Sequence, residues 1–391
     1  MEKDTLHVKG GEAARRNWLI LPIVGLLTIC VIVVAAEALR RVKFSSVNLD
    51  HDECMVLNDQ STGARAIPNS TCSKKIPEGE LIDYRFNSCG HRAGMECGPK
   101  GAGTYRIVMI GSSTAMGLFV PYESSVGGFL PKELSTRTGR PVELYNESLP
   151  RRSPHVFATH FDEALNADPD LVLWLLTRGD IQESLEGPPA GAQPSSSSPA
   201  PPPTTLAAMR KMVPNFVTAW VRETRSMFQY FLYQSQSQFV KHYLMQDDAA
   251  DFLQAPLGPE MEEHLDHLDR DAAAIAAQAE AAKVPWAVVI LPDGPQAAMV
   301  STGEWPAGID PYALGRRIQP IVAKLGGLYV DILPYYRRIP NPETGFFRVN
   351  GHPNELGHRI FSTLIADQLT GGAIPALSAG AGLRTSIGGP R

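Results

Sequence analysis

Two short stretches of this chain hold residue types that can do chemistry together. The first, Ile107-Val-Met-Ile-Gly-Ser-Ser-Thr-Ala-Met-Gly117, is an apolar run that ends in Gly111-Ser112-Ser113 and leads into a helix start. That order sets a hydroxyl at the carboxyl end of a strand, where open α/β sheets bind their ligands. It also sets the hydroxyl near backbone N–H groups that can stabilise a developing oxyanion. A serine alone needs a base. The second stretch, Phe346-Phe-Arg-Val-Asn-Gly-His-Pro-Asn-Glu-Leu-Gly-His358, supplies one, because His352 stands in a loop just before a C-terminal helical pattern. Imidazole is the natural general base for a serine near neutral pH.

Serine early and histidine late meet only if the fold gathers strand ends. Short apolar runs predict strands at Arg106–Ile110, Val142–Tyr145, Leu171–Leu176, Trp286–Leu291 and Leu328–Val330. They lack polar alternation, as strands buried on both faces should. Helical patterns separate them. The clearest, over 260–282, repeats Met261, Leu265, Leu268, Ala272, Ile275, Ala279 and Ala282 at spacings of three and four. Strands alternating with helices predict a parallel sheet covered on both faces.

With the lead-in Tyr84-Arg-Phe-Asn-Ser-Cys-Gly-His-Arg92, these segments resemble the SGNH (GDSL-type) hydrolase superfamily over roughly residues 84–369. The most specific likeness is Gly351-His-Pro-Asn-Glu-Leu-Gly-His358. The resemblance implies a three-layer α/β/α sandwich with a flavodoxin-like parallel sheet. It implies acyl-ester chemistry, hydrolytic or transferring, with Ser113 as nucleophile and His352 as base, and no cofactor or metal. The motifs also depart from the family pattern. Ser112 replaces an aspartate. Arg151 falls where a glycine N–H usually serves the oxyanion hole, and Gly179, in Thr177-Arg-Gly-Asp180, replaces the asparagine that usually serves it. Asn350 stands where an acid usually orients the histidine. An amide can orient a histidine, but losing an oxyanion-hole donor typically costs ~10²–10³ in turnover. Asp180 and Asp331, at strand ends, are alternative acids, and Arg151, Arg152 and Arg178 are further candidates to stabilise an anion. An esterase or O-acyltransferase is therefore expected, with a non-catalytic glycan- or partner-binding relative as the alternative.

The uncharged run Leu19–Ala36 nearly spans a ~30 Å hydrocarbon core at 1.5 Å per residue. Trp18 suits an interfacial anchor. A buried core helix is the plainer reading, and Ala36-Glu-Ala38 leaves a cleaved signal peptide open. Cys30 lies in the run. Cys54 with Cys72 and Cys89 with Cys97 form two local pairs, expected as disulfides outside the reducing cytosol, with reduced buried thiols the alternative. The expected organisation is a cytoplasmic tail over 1–17, an anchor over 18–38, a stalk and disulfide-tied lead-in over 39–100, and the enzyme-like domain over 101–370. Within it, 187–205 reads as a disordered insert and 206–246 as an aromatic helical cap; 371–391 reads as a disordered tail. The expected location is a single-pass membrane protein with its large domain extracytoplasmic, periplasmic in a Gram-negative cell. The expected substrate is an ester or acylated glycan. A net charge of -5 with no long basic run argues against a nucleic-acid partner.

Remaining candidates have plainer roles. His264, Asp266 and His267 read as a solvated helix face rather than a metal site, and His358 as packing or capping the last helix. Asp310 reads as a cap, and Gly101-Ala-Gly103 is not a phosphate loop. Asn69-Ser-Thr and Asn146-Glu-Ser are formal glycosylation sequons.

Overall fold

The computed structural model describes residues 11–47, 53–59, 63–182, 215–245 and 250–378. The insert 187–205 and the last residues from 379 onward lie outside them. Helix α1 (Gly11–Lys43) runs beyond the expected span at both ends, and its section from Ile20 to Lys43 is long and apolar enough to cross a membrane. Its apolar side chains between Ile20 and Val34 are exposed.

Much of the described part of the region expected as a stalk and disulfide-tied lead-in forms a folded lobe. Strands β1 (Met55–Asp59) and β2 (Gly63–Ala66) pair antiparallel, as do β3 (Thr71–Lys74) and β4 (Ile82–Arg85). In β4, Ile82 and Tyr84 point inward while Asp83 and Arg85 point out, the period of two that a half-buried strand requires. Cys54 and Cys72 are disulfide-bonded across the two hairpins, and Cys89 is bonded to Cys97. The lobe's core of Met55, Ile82, Tyr84 and Phe86 continues onto Met116, Leu118 and Phe119, in the segment that follows the candidate nucleophile. Buried Arg92 fastens that segment, donating to the carbonyls of Met116, Gly117 and Val120 with its guanidinium over the Tyr84 ring.

The main domain alternates strand and helix. It runs β5 (Tyr105–Gly111), α2 (Ser113–Met116), α3 (Val126–Thr138), β6 (Val142–Asn146), α4 (Pro154–Thr159), α5 (Phe161–Asn166), β7 (Leu171–Leu176) and α6 (Arg178–Gln182). After the undescribed insert come α7 (Asn215–Leu232), α8 (Gln236–Leu244), α9 (Pro259–Ala282), β8 (Trp286–Ile290), α10 (Gly294–Thr302), α11 (Ala313–Lys324), β9 (Leu328–Val330) and α12 (Glu355–Gln368). The five strands are parallel in the order β6-β5-β7-β8-β9, the flavodoxin-like arrangement, whose order reverses between β5 and β7. Alternation along β5 explains the layers. Ile107 and Met109 pack with α3 and α12 on one face, while Val108 and Ile110 pack with α4, α5 and α9 on the other.

Helix α9 shows what builds a layer. Met261, Leu265, Leu268 and Ile275 are at most 2% exposed, and burying each contributes about 1.5–3 kcal/mol. His264 is buried too, contrary to the expected solvated face. It falls three residues after Met261 and four before Leu268, so it lies on the apolar stripe itself. Ile374 and Leu377, expected to lie in a disordered tail, are instead buried in the same core as Phe361 and Ile365.

Candidate active site

Strand β5 ends at Gly111 with φ 151°, and a Cβ there would stand 2.5 Å from the Leu175 carbonyl oxygen and 2.6 Å from the Ala115 Cβ. Only glycine lets the chain turn so closely against β7 and present the next residues at the sheet's carboxyl edge. Ser112 is buried there and its hydroxyl donates to the Asp180 carboxylate. Asp180 also accepts from the backbone N–H and the hydroxyl of Thr177, at 2.6 and 2.7 Å. Asp180 thus supports the β5 and β7 turns and does not orient His352. Ser113 opens the single turn of α2, half-buried, and lines a cavity.

The Ser113 hydroxyl donates to His352 Nε2 at 2.8 Å, and His352 Nδ1–H donates to Asn350 Oδ1 at 2.6 Å. The amide oxygen can only accept, so it fixes the proton on Nδ1 and leaves Nε2 bare for the serine proton. Three features hold this loop. Gly351 takes φ 85°, a left-handed turn that brings Asn350 back over its own neighbour. The Phe119 ring meets the imidazole edge-on at 5.0 Å. Glu78, from the lobe, accepts the backbone N–H of Val349 at 2.9 Å and of Asn350 at 2.6 Å.

Burial is the main cause that lowers the His352 pKa to about 4. The Asp293 charge opposes the shift, the Lys74 ammonium adds to it, and a hydrogen bond with Asn350 opposes it. The imidazole is therefore neutral, and ready to accept a proton, throughout the neutral range. His358 is fully buried against the edge of Phe361, and burial lowers its pKa to about 3, so it is a packing residue.

The other candidates separate clearly. Arg151 has φ 62°, the left-handed conformation that a glycine takes at no cost, and it lines the cavity beside Ser113. Gly179 lines it as well, with only the Thr177 hydroxyl near where a side chain would begin, so this position offers a backbone N–H and no side-chain donor. Arg178 ion-pairs with Asp293 at 2.7 Å, and Tyr243 donates to the same carboxylate oxygen at 2.8 Å. Arg152 does not reach the site; it pairs with Glu163 over the Phe157 ring and lines a different cavity. Asp331 does not reach it either, accepting from the Leu333 N–H in a small cavity with Tyr312 and Tyr329. Asp310 lies in the turn before α11, accepting from the Tyr312 N–H and pairing with Arg316. Asn146 is buried, its amide donating to the Ala115 carbonyl, so this sequon is structural. No group of three His, Cys, Asp or Glu side chains could hold a metal among the described residues.

A cavity of about 570 Å³ opens over Ser113 and His352. Helices α7 and α8 form one wall through Arg225, Gln229, Phe239, His242 and Tyr243, with Tyr233 from the turn between them. Part of the expected cap therefore does adjoin the dyad. Asp293, Lys74, Glu78, Arg225 and Arg348 escaped the sequence reading. Only Asp293 carried a usable signal, since Leu291-Pro-Asp293 directly follows β8 at the sheet's ligand-binding edge.

Fold and site define a doubly wound α/β protein with a serine–histidine–asparagine relay at the carboxyl edge of its sheet. No protein-family profile and no curated protein sequence matches this chain. Among solved structures it is similar to GDSL-type esterases and lipases. A catalytic mutant of Axe2, an acetylxylan esterase from Geobacillus stearothermophilus, is 11% identical, with 69% of this chain and 95% of that one covered at a TM-score of 0.37. The psychrotrophic esterase EstA from Pseudoalteromonas sp. is 12% identical, with 68% and 97% covered at 0.37. A GDSL-like lipase from Bacteroides thetaiotaomicron is 12% identical, with 66% and 85% covered at 0.30.

Proposed function

We propose that this protein is a membrane-anchored, extracytoplasmic serine acyl-transfer enzyme of the SGNH type, acting on acyl esters of an anionic glycan. The observation that carries the chemistry is the relay from Ser113 through His352 to Asn350, at 2.8 and 2.6 Å. As Ser113 Oγ attacks the acyl carbon, its proton passes to His352 Nε2. The backbone N–H groups at Arg151 and Gly179, with the Arg151 guanidinium, belong to residues that line the cavity with Ser113 and are candidates to receive the oxyanion. When the C–O bond breaks, His352 returns the proton to the leaving alkoxide, and Ser113 keeps the acyl group. Water or a second sugar hydroxyl then gives up a proton to His352 and takes the acyl group, and His352 returns that proton to Ser113 Oγ as the serine–acyl bond breaks; the acceptor decides between hydrolysis and transfer.

Charge supports the substrate class. The chain is net -5, yet Arg151, Arg178, Arg225 and Arg348 line the cavity, and Asp293 is its one lining carboxylate among the described residues. That carboxylate is already engaged by Arg178. Tyr233, Phe239 and Tyr243 add flat faces on which a sugar ring can rest. The disulfides and α1 support an anchored domain in an oxidising compartment.

The test compares initial rates on acetylated oligosaccharides with and without uronate carboxylates, alongside fluorophosphonate labelling of Ser113. The expected result is labelling that Ser113→Ala abolishes, and a kcat/KM at least about 10-fold higher for the anionic substrate, shrinking as salt rises. Equal rates on both substrates would remove the charge preference. Absence of both labelling and turnover would leave a glycan-binding protein that keeps the fold.

A further inference from the structure

Helix α7 has two unlike faces. Phe216, Trp220, Val221, Phe228, Phe231 and Leu232 are each 48–74% exposed. At about 100° per residue these six fall within one arc of roughly 160°. Ser226, buried, lies opposite that arc, Glu223 is buried at one of its edges, and Arg225 and Gln229, beyond the other edge, reach the catalytic cavity; Met227, inside the arc, is buried. A helix with six exposed large apolar side chains on one arc has a face that water does not suit.

Its position shows what covers that face. The uncharged run of α1 ends at Ala36, and the next residue, Glu37, accepts from the Trp220 indole N–H at 3.2 Å. Arg40 ion-pairs with Glu223, both side chains being buried. Glu223 also accepts from the Ser46 N–H at 3.0 Å, and Arg222 donates to the Ser46 hydroxyl at 2.7 Å. Phe44, fully buried, packs against Tyr230 and Phe231 at 5.5 and 6.4 Å. So α7 is fastened to the stretch of α1 that emerges from the apolar run, with Trp220 level with its edge. Indole side chains favour that depth, where the ring is in the apolar boundary and the N–H stays wet.

On the reading of α1 as a membrane anchor, we propose that α7 is a second membrane-contact element. Its exposed apolar arc meets the bilayer boundary beside the emerging end of α1, while Arg225 and Gln229 turn toward the active site. The occupant of the apolar face is lipid, because that face continues the exposed apolar surface of α1. The catalytic cavity, walled by the same helix, then opens beside the membrane surface.

The test uses full-length protein in nanodiscs of phosphatidylcholine and phosphatidylglycerol, in a Cys30→Ala background. Nitroxide labels go singly at Val31→Cys in α1, Phe228→Cys in α7 and Lys132→Cys on exposed α3. Collisions with oxygen report lipid, and collisions with a water-soluble nickel chelate report water. The expected result is Val31 and Phe228 positions rich in oxygen and poor in nickel, with the reverse at position 132. A Phe228 position as nickel-accessible as position 132, while Val31 stays in lipid, overturns the proposal and leaves the anchor intact. A Phe228 position closed to both reagents also overturns it, since a protein partner then covers the face. If Val31 is in water, the anchor reading and the proposal fall together.

Discussion

His352 must take a proton from Ser113 and then carry a positive charge while the acyl bond reorganises. Its surroundings favour the first task and oppose the second. Asn350 imposes the correct tautomer, but its amide brings no charge, and burial with the nearby Lys74 holds the pKa at about 4. The consequence for pH has a definite sign. With its folded pKa below the ordinary 6.5, His352 stays deprotonated on acidification until about pH 4, so the acid limb of kcat/KM lies near there. Asn350→Asp puts a carboxylate at the same distance, stabilises the imidazolium and moves that limb upward. The rate at pH 7 should rise roughly 10- to 100-fold, less than the ~10⁴ lost when a triad acid becomes an amide and the tautomer is wrong. Profiles of kcat/KM against pH for wild type, Asn350→Asp and each with Ser113→Ala, on one aryl acetate, measure this. An unchanged profile in Asn350→Asp would mean that another group already balances the imidazolium.

Elements explain which parts of this site can be read from the chain. The strands of the main sheet are legible because burial on both faces leaves uninterrupted runs such as Leu171–Leu176. Ser113 and His352 are legible because each lies within a short local pattern. The lobe over 55–85 is not, since its strands are only four or five residues long and mix Asp, Ser and Lys with the buried positions. Glu78 is invisible for a different reason, being 272 residues from the Asn350 backbone it holds. Its contribution is nevertheless testable. Hydrogen bonds to a charged acceptor are worth about 1.5–3 kcal/mol, and here they act on the residue that orients the base. Glu78→Ala should lower kcat about 10-fold or more with little change in KM, and Glu78→Gln, which keeps one acceptor oxygen, should recover part of it. Wild-type kcat in Glu78→Ala would show that the loop holds its shape unaided.

At the scale of the whole molecule, the catalytic groups come from the sheet while much of what steadies them comes from the lobe. Phe119 rests in the lobe's core and against the His352 ring, Arg92 fastens the segment after α2, and Glu78 holds the histidine loop. The lobe itself is small, and its sheets are two isolated hairpins that are marginal without further support. Closing loops with sequence separations of 18 and 8 residues constrains its unfolded chain by about 3 kcal/mol for each disulfide. The five-stranded sheet has its own two cores and contains neither disulfide. Loss of the bonds should therefore uncouple function from bulk structure. In the Cys54→Ser, Cys72→Ser double variant, esterase activity should fall at temperatures where far-ultraviolet circular dichroism still reports an intact α/β domain. The activity midpoint should lie below the dichroism midpoint, whereas in the oxidised wild type the two should coincide. If the variant loses both signals in one transition, the lobe and the sheet fold as a single unit and the bonds stabilise the whole domain. If it keeps activity up to the wild-type midpoint, packing alone holds the lobe on the site, and Phe119 needs no covalent support behind it.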